Sequence, residues 1–329
     1  MIVKGLGCVR ISKKIVLLLL ASLYVLASFY SRVEQLFPAD ANGEPRDGSS
    51  HGVVKLTRPW LVYANRSDCR KASRRRITET DGLLPTTSLL SVHGSGNTWL
   101  RWLIERLTGI CTGSVYQERQ LIDQGFKCEI GPVYNGLTIV QKSHYFYHHN
   151  ATKTVLLIRY PLDTIVSDFH RTKTRGNHTG LANVTDFDGL EWDNFVIIRA
   201  VEWLNQILTA LSHATDLHVV FYENLLTHLR RELKQIADFL QVFVTDERVN
   251  CVLKNQEGKF KRKSSSRPLP ETYFSSVQLE VVNLLVARAA AEFSRRNILN
   301  IPARYRHTAA ETAKLHLEVP TPAIQPHPK

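Results

Sequence analysis

Residues 88–101 read SLLSVHGSGNTWLR. The first five residues form a short apolar run that is typical of a buried strand, and residues 98–107 carry apolar side chains at helical spacing. A glycine loop, HGSGN, joins the two, so the segment predicts a strand, a tight loop and a helix. Such a loop presents backbone N–H groups to an anion at the start of the helix. The alternative is an ordinary glycine-rich turn with a helix cap, and this segment alone does not decide between them.

Apolar runs and helical patterns alternate along the rest of the chain. Three more apolar runs predict strands at residues 137–140, 154–158 and 217–221. Helical periodicity predicts helices at residues 162–171, 192–214, 229–240 and 276–293. The run TVLLI at 154–158 is unbroken, as in parallel strands that are buried on both faces. The alternation predicts an α/β fold with a parallel sheet.

The strand predicted at 154–158 ends in a second polar motif. Arg159 follows the strand directly, and Ser167 lies on the helix that comes next. Both residues lie near the carboxyl end of the sheet, where open α/β folds bind their ligands. A guanidinium can hold a terminal phosphate through two hydrogen bonds, and a serine hydroxyl can add another. The alternative is that Arg159 forms an ion pair with Asp163 while Ser167 faces solvent.

The composition is that of a folded protein with a basic surface. Of 329 residues, 43% are hydrophobic and 22% are charged, which argues against a wholly disordered chain. The formal net charge of +12 suits an anionic partner, such as a phosphorylated cofactor, an acidic glycan, a membrane surface or nucleic acid. The basic residues are dispersed along the chain, so we do not expect a nucleic-acid partner.

The N-terminal segment predicts a membrane anchor. Residues 1–14 hold four basic residues and no acidic one, and an uncharged apolar run follows. This order predicts a cytoplasmic tail at 1–14, a single-pass type II signal anchor at 15–31 and a luminal stem at 32–86. The lipid bilayer is then a partner of the chain. The alternative is a signal peptide cleaved near Ala27 or Ser28.

Sequons and cysteines agree with a luminal location. N-glycosylation sequons begin at Asn65, Asn150, Asn177 and Asn183. The four cysteines beyond the apolar run, Cys69, Cys111, Cys128 and Cys251, could pair in three ways. We favour Cys111–Cys128 as a local pair. The cysteine and histidine spacings are not those of a zinc site, so we expect no metal.

Taken together, the two phosphate-binding motifs resemble those of the sulfotransferase superfamily, whose donor is 3′-phosphoadenosine 5′-phosphosulfate (PAPS). The segments SGNTWLR, TGSVY and NQEGKFKR are similar to the sulfotransferase-like part of the WSC-domain-containing (WSCD) family. The cysteine-rich WSC modules themselves are missing. The resemblance implies a three-layer parallel sheet of the P-loop-like type at 87–305, followed by a disordered tail at 306–329.

The resemblance also assigns roles to individual residues. It implies that the 5′-phosphosulfate lies against Ser95, Gly96, Asn97, Thr98 and Trp99. It places the 3′-phosphate against Arg159 and Ser167, and the adenine near Tyr222. Arg262 would belong to a late basic loop that closes over the 3′-phosphate, although a solvated charge run is nearly as good an explanation.

The triplet Lys142-Ser143-His144 resembles a step at which the lysine contacts the phosphosulfate and the histidine takes the proton of the acceptor. In many relatives a lysine precedes the serine of the glycine loop, but here that residue is Gly94. Charge builds up on the leaving oxygen during transfer, so we expect Lys142 to supply the cation, aided by Arg101. Glu118 is the alternative base to His144. His93 replaces a proline that is common in this loop, and its role is open.

The sequence therefore predicts a luminal, Golgi sulfotransferase that acts on a hydroxyl of a glycan or glycoconjugate. Acceptors that bear sialic acid are suggested by the resemblance alone. The main alternative is a catalytically inactive protein that keeps the nucleotide-binding fold. A P-loop kinase or NTPase is disfavoured, because the pattern GxxxxGK[ST] is absent.

Overall fold

The computed structural model describes residues 69, 84–146, 151–177, 179–258 and 268–317, all of which belong to one compact unit that spans 56–329. The predicted tail, the predicted membrane anchor and nearly all of the predicted stem lie outside the described residues. So do three of the residues singled out from the sequence, namely Asn65, Asn150 and Arg262.

Five parallel strands form the sheet of this unit, in the order β2-β3-β1-β4-β5. Their bounds are β1 Thr87–Leu90, β2 Gly113–Ser114, β3 Gln141–Ser143, β4 Lys153–Ile158 and β5 Leu217–Phe221. Strand β1 is central, because it pairs with β3 on one side and with β4 on the other. Since all strands run the same way, their carboxyl ends meet at one edge of the sheet.

Helices connect the strands and cover both faces of the sheet. Their bounds are α1 Asn97–Thr108, α2 Arg119–Asp123, α3 Pro161–Lys173, α4 Gly189–His213, α5 Tyr222–Thr227, α6 Leu229–Phe239, α7 Asp246–Lys254, α8 Ser276–Arg295 and α9 Ala303–Leu317. Alternate strand residues point to opposite faces. Leu89 of β1 therefore packs with α1, α6 and α7, whereas the next residue, Leu90, packs with α3, α4 and α8. These two apolar clusters make the three-layer α/β fold that the sequence predicts.

Helix α4 is long and apolar enough to cross a bilayer by length and composition. In this fold, however, it belongs to the core. Trp192, Val196, Trp203 and Ile207 lie along its buried side and pack in the same cluster as β4 and α8. Its apolar composition is thus explained by burial within the domain.

Two sequence predictions are wrong in this part of the chain. The strand predicted at 137–140 begins four residues later, and it spans Gln141–Ser143. Ile139 and Val140 are buried, but they pack in the core as a loop before the strand starts. The disordered tail predicted from residue 306 is wrong for 306–317, because α9 continues to Leu317. Tyr305 is fully buried there, and its ring packs against Phe221 and Phe293.

Two disulfides join the described cysteines. Cys111–Cys128 confirms the predicted local pair. Cys69–Cys251 joins two cysteines that lie 182 residues apart in sequence, and it fixes residue 69 to α7. Buried disulfides of this kind are typical of proteins that fold in an oxidising compartment.

Candidate active site

The carboxyl ends of β1, β3, β4 and β5 open into one cleft of about 710 Å³. The cleft brings together most of the residues singled out from the sequence. Those that line it are Gly96, Asn97, Thr98, Trp99, Lys142, His144, Arg159, Ser167 and Tyr222. Ser95 lies just beneath this lining with 1% of its surface exposed. The two polar motifs therefore share one site.

The glycine loop packs closely against Thr164 and Tyr222. Gly94 has a φ of +83°, and a Cβ there would lie 2.3 Å from the backbone oxygen of Thr164 in α3. Gly96 has a φ of +94°, and a Cβ there would lie 2.6 Å from the ring of Tyr222. Only glycine fits either position, since both the backbone angle and the space exclude a side chain.

Next to the cleft, the loop leaves donor groups without partners in the part of the chain that the structure describes. The Ser95 hydroxyl is buried and has no hydrogen-bond partner among the described residues. Gly96 is the N-cap of α1 and offers no side chain to the first amides of the helix. A helix start that lacks its own cap, beside a buried hydroxyl without an acceptor, is suited to bind an anion.

Asn97 and Trp99 have structural contacts that the sequence did not indicate. The Asn97 amide turns inward and donates to Leu89 O at 3.2 Å and to Ser91 Oγ at 3.0 Å, which ties the loop to β1. Trp99 Nε1 donates to Gln256 O at 2.9 Å, which brings the segment after α7 to the cleft. Asn97 thus supplies its backbone to the cleft rather than its side-chain donors.

Arg159 connects the second motif to the glycine loop. Its Nη1 donates to Gly94 O at 3.0 Å, and its guanidinium lies over the Tyr222 ring at 4.5 Å. Its Nη2 lies 3.7 Å from Asp163 Oδ1, which is an ion pair but too long for a hydrogen bond. Arg159 therefore lines the cleft, as a phosphate-binding role requires, and it also neighbours Asp163, as the alternative predicts.

Lys142 is a buried cation held by one carboxylate. Its side chain is 3% exposed, and Nζ donates to Glu118 Oε1 at 2.6 Å. Burial lowers the pKa of Lys142 from its ordinary value of 10.5, and the charge and hydrogen bond of Glu118 oppose that shift. Glu118 lies at the wall of the same cleft, so the pair adjoins whatever ligand the cleft holds.

One ring nitrogen of His144 is hydrogen-bonded to the backbone, and the ring is stacked against Tyr116. Nδ1 lies 2.7 Å from Ser91 O, which can only accept, so Nδ1 carries the proton and the neutral ring has its lone pair on Nε2. The ring stacks on Tyr116, whose hydroxyl accepts from the His144 backbone N–H at 2.7 Å. Burial holds the pKa of His144 well below 6.5, so the imidazole is neutral near pH 7.

His93 has a place in the site that the sequence left open. Its ring lies 3.8 Å from the His144 ring, centroid to centroid, at an interplanar angle of 30°. Burial lowers the pKa of His93 to about 4, despite the nearby carboxylate of Asp168. The two neutral rings pack together. A proton on either ring would put a positive charge beside the other ring and so disfavour a second protonation. Its position in the glycine loop was the only sequence signal for this role.

Arg101 does not reach the cleft, contrary to the expectation that it aids Lys142. It is fully buried, and Nη2 forms an ion pair with Glu129 at 2.6 Å while Nε donates to Thr112 Oγ1 at 2.8 Å. From this buried position, the positive charge of Arg101 lowers the pKa of Lys142. Arg101 therefore has a structural role beneath the site.

The described residues of the cleft do not include a cluster of metal ligands. In the ranges that the structure describes, no three His, Cys, Asp or Glu side chains are grouped so that they could hold a metal ion.

Comparison with known proteins gives consistent matches. Residues 85–276 match the family model described as "Sulfotransferase domain". WSCD family member CG9164 of Drosophila melanogaster is 33% identical over 237 residues, which cover 69% of this chain and 73% of the relative. WSCD family member AAEL009094 of Aedes aegypti is 36% identical over 184 residues, which cover 54% of this chain and 57% of the relative.

Among solved structures, the chain is similar to mouse sulfotransferase SULT7A1 complexed with PAP, at 16% identity and a TM-score of 0.45, with 69% of this chain and 90% of that chain covered. It is also similar to a sulfotransferase from Alicyclobacillus acidocaldarius, at 10% identity and a TM-score of 0.37, with 68% and 98% covered.

Proposed function

Because this chain belongs to the sulfotransferase domain family and to the WSCD family, we propose that it transfers a sulfuryl group from PAPS to a hydroxyl of a glycan or glycoconjugate. One observation carries the proposal. Arg159, from the end of β4, donates to the carbonyl of Gly94 at 3.0 Å, so the two anion-binding motifs form a single cleft with Lys142 and His144. A donor that carries phosphate groups at both the 3′ and the 5′ position of its ribose needs this arrangement.

The residues of the cleft fit PAPS by their chemistry. The unpartnered Ser95 hydroxyl and the first amides of α1 would bind the 5′-phosphosulfate. Arg159 and Ser167 would hold the 3′-phosphate, and Tyr222 offers an aromatic surface beside them. When bound, PAPS supplies the sulfuryl group and 3′,5′-ADP is the product that leaves.

Lys142 is the cation best placed to stabilise the charge that develops during transfer. Gly94 cannot be replaced by a lysine without displacing α3, because its Cβ would overlap Thr164 O. Lys142 lies in the same cleft, and its pairing with Glu118 favours the charged form. A fixed cation in a water-poor site stabilises developing negative charge far better than one in bulk water.

His144 is the base that we propose for the acceptor hydroxyl. Nε2 holds a lone pair because Nδ1 is committed to Ser91 O. The hydroxyl oxygen of the acceptor would form a bond to sulfur while the bond from sulfur to the leaving oxygen breaks. The proton of that hydroxyl would move to Nε2 of His144. Glu118 is a weaker candidate, since its carboxylate already pairs with Lys142 at 2.6 Å.

The second candidate function is nucleotide binding without transfer. Gly94, which replaces the loop lysine, favours it, and so does the pairing of Lys142 with a carboxylate. In that case the chain would bind 3′,5′-ADP and transfer nothing.

We also propose that the domain is luminal and membrane-anchored, as a single-pass type II protein of the Golgi. The support is the apolar run at 15–31, the basic tail before it and the two disulfides of the folded domain. The acceptor class, including sialylated glycans, rests on the family alone.

The test is transfer of labelled sulfate from PAPS to a glycan array by the full chain in detergent micelles. We expect labelled product with wild type and a loss of about a hundredfold in turnover with Lys142→Met, with 3′,5′-ADP affinity kept. Lys234→Met, on the exposed side of α6, is the matched control. Tight 3′,5′-ADP binding with no labelled product on any acceptor would establish the second candidate instead.

A further inference from the structure

Helix α9 carries a cation, Arg304, that pairs with Asp163 in the wall of the cleft. Tyr305 is fully buried, and Thr308 Oγ1 lies 2.9 Å from Tyr160 Oη, so the start of α9 is fixed against the residue that precedes α3. Arg304 directly precedes Tyr305 in the chain, four residues before Thr308. Its position is therefore set by the core and not by the surface.

Arg304 is held by three neighbours. Its guanidinium lies over the Tyr160 ring at 3.7 Å, and Nη1 donates to Asp163 Oδ2 at 2.5 Å. Nη2 pairs with Glu271, which lies in the short 3-10 helix Pro270–Tyr273 beside the cleft. A planar guanidinium that is stacked and paired on two sides has little freedom to move.

Asp163 lies between two arginines, and of the two only Arg304 donates a hydrogen bond to it. Its Oδ2 accepts from Arg304, whereas its Oδ1 is 3.7 Å from Arg159 Nη2. Asp163 lines the cleft together with Arg159. A carboxylate free to hydrogen-bond Arg159 would compete directly with a phosphate for that guanidinium, and its charge would repel the phosphate.

We infer that Arg304 is a positioning residue for donor binding: it binds the Asp163 carboxylate and so leaves the guanidinium of Arg159 available to the 3′-phosphate. This inference rests on the proposed function, because it assumes that Arg159 binds that phosphate. The Arg304 charge also offsets that of Asp163 at the cleft wall. Loss of Arg304 leaves Asp163 with Arg159 as its nearest described cation.

The test compares two nucleotides that differ by one phosphate, 3′,5′-ADP and 5′-AMP, by calorimetry on the full chain in micelles. In wild type we expect 3′,5′-ADP to bind more tightly than 5′-AMP. Arg304→Met should weaken 3′,5′-ADP by about tenfold and leave 5′-AMP unchanged. Arg306→Met, on the exposed face of the same helix, is the matched control and should change neither affinity.

The double variant Asp163→Asn with Arg304→Met separates positioning from a general structural role. If Arg304 acts by occupying Asp163, the neutral amide should restore 3′,5′-ADP affinity to near the wild-type value. Equal weakening of both nucleotides by Arg304→Met, or no rescue in the double variant, would overturn the inference. Arg304→Gln provides the same comparison should Arg304→Met fail to fold.

The two proposals fail in different ways. Equal affinity of wild type for the two nucleotides would contradict the assignment of Arg159 to the 3′-phosphate, and with it the proposed function. A preference for 3′,5′-ADP that Arg304→Met leaves intact contradicts only the role of Arg304.

Discussion

Gly94 and Gly176 are two glycines with nearly the same backbone angle and opposite surroundings. Gly94 has a φ of +83° and a Cβ position 2.3 Å from Thr164 O, whereas Gly176 has a φ of +85° and nothing within 4 Å of its Cβ position. We expect Gly94→Ala to lower the free energy of unfolding by about 2–4 kcal/mol, because backbone strain and a steric clash add. Gly176→Ala should cost about 1 kcal/mol, from strain alone. Urea unfolding of both variants measures the difference. Equal losses of unfolding free energy would show that α3 shifts to accommodate the Cβ without destabilising the fold.

His144 makes a prediction about the pH dependence of transfer. Burial holds its pKa well below 6.5, so the neutral, proton-accepting form persists as the pH falls through 6.5. We therefore expect turnover at saturating PAPS to stay level across pH 6.5 and to fall only at a distinctly lower pH. The measurement is a pH–rate profile of wild type beside His144→Ala and Glu118→Ala.

His144→Ala should remove most of the turnover, and Glu118→Ala should keep the acid limb where it is. An acid limb that vanishes in Glu118→Ala while His144→Ala stays active would assign the base to Glu118.

Elements with a strong periodic signal were predictable, and those fixed by tertiary contacts were not. The strands at 154–158 and 217–221 are confirmed to within one residue, because unbroken β-branched and aliphatic runs have few other uses. β2 has only two residues, Gly113 and Ser114, and leaves no pattern. α9 is helical because Tyr305 packs in the core. The polar, alanine-rich sequence around Tyr305 does not indicate that contact.

The candidate site was predictable as a set of residues but not as a set of contacts. The glycine loop and Arg159 were recognisable because each follows a buried strand and precedes a helix. The pairing of Lys142 with Glu118 was not, since the two lie 24 residues apart on different strand ends. The inward turn of Asn97 also depends on where β1 lies beneath the loop.

The two disulfides close loops of very different length, so we expect them to differ in effect. Cys69–Cys251 spans 182 residues and Cys111–Cys128 spans 17. Replacing both cysteines of the long-range pair by serine should lower the free energy of unfolding by about 2–5 kcal/mol, and more than the same change in the local pair. α7 also leads into the segment that Trp99 holds through Gln256 O, so we expect weaker 3′,5′-ADP binding only for the long-range pair.

Urea unfolding and calorimetry of the two double-serine variants compare them directly. Identical nucleotide affinities in both would show that the end of α7 does not depend on its disulfide.

The assembled domain presents two of its sequons on one surface. Asn177 and Asn183 are both exposed, and they lie in the connection between α3 and α4. If the domain is luminal, we expect both to carry N-glycans when the full chain is expressed in secretory cells. Enzymatic deglycosylation should then shift the mass, and Asn177→Gln and Asn183→Gln should each remove one glycan. A chain whose mass is unchanged by deglycosylation would contradict the luminal topology.

The central position of β1 has a consequence for how the chain is made. β1 ends at Leu90, but its two partners begin only at Gln141 and Lys153. A ribosome adds about 5–20 residues per second, so the nascent chain carries the apolar side chains of Leu89 and Leu90 unpaired for several seconds. The strand at the middle of the sheet is thus synthesised first, and its apolar side chains stay without strand partners until both neighbouring strands have been made.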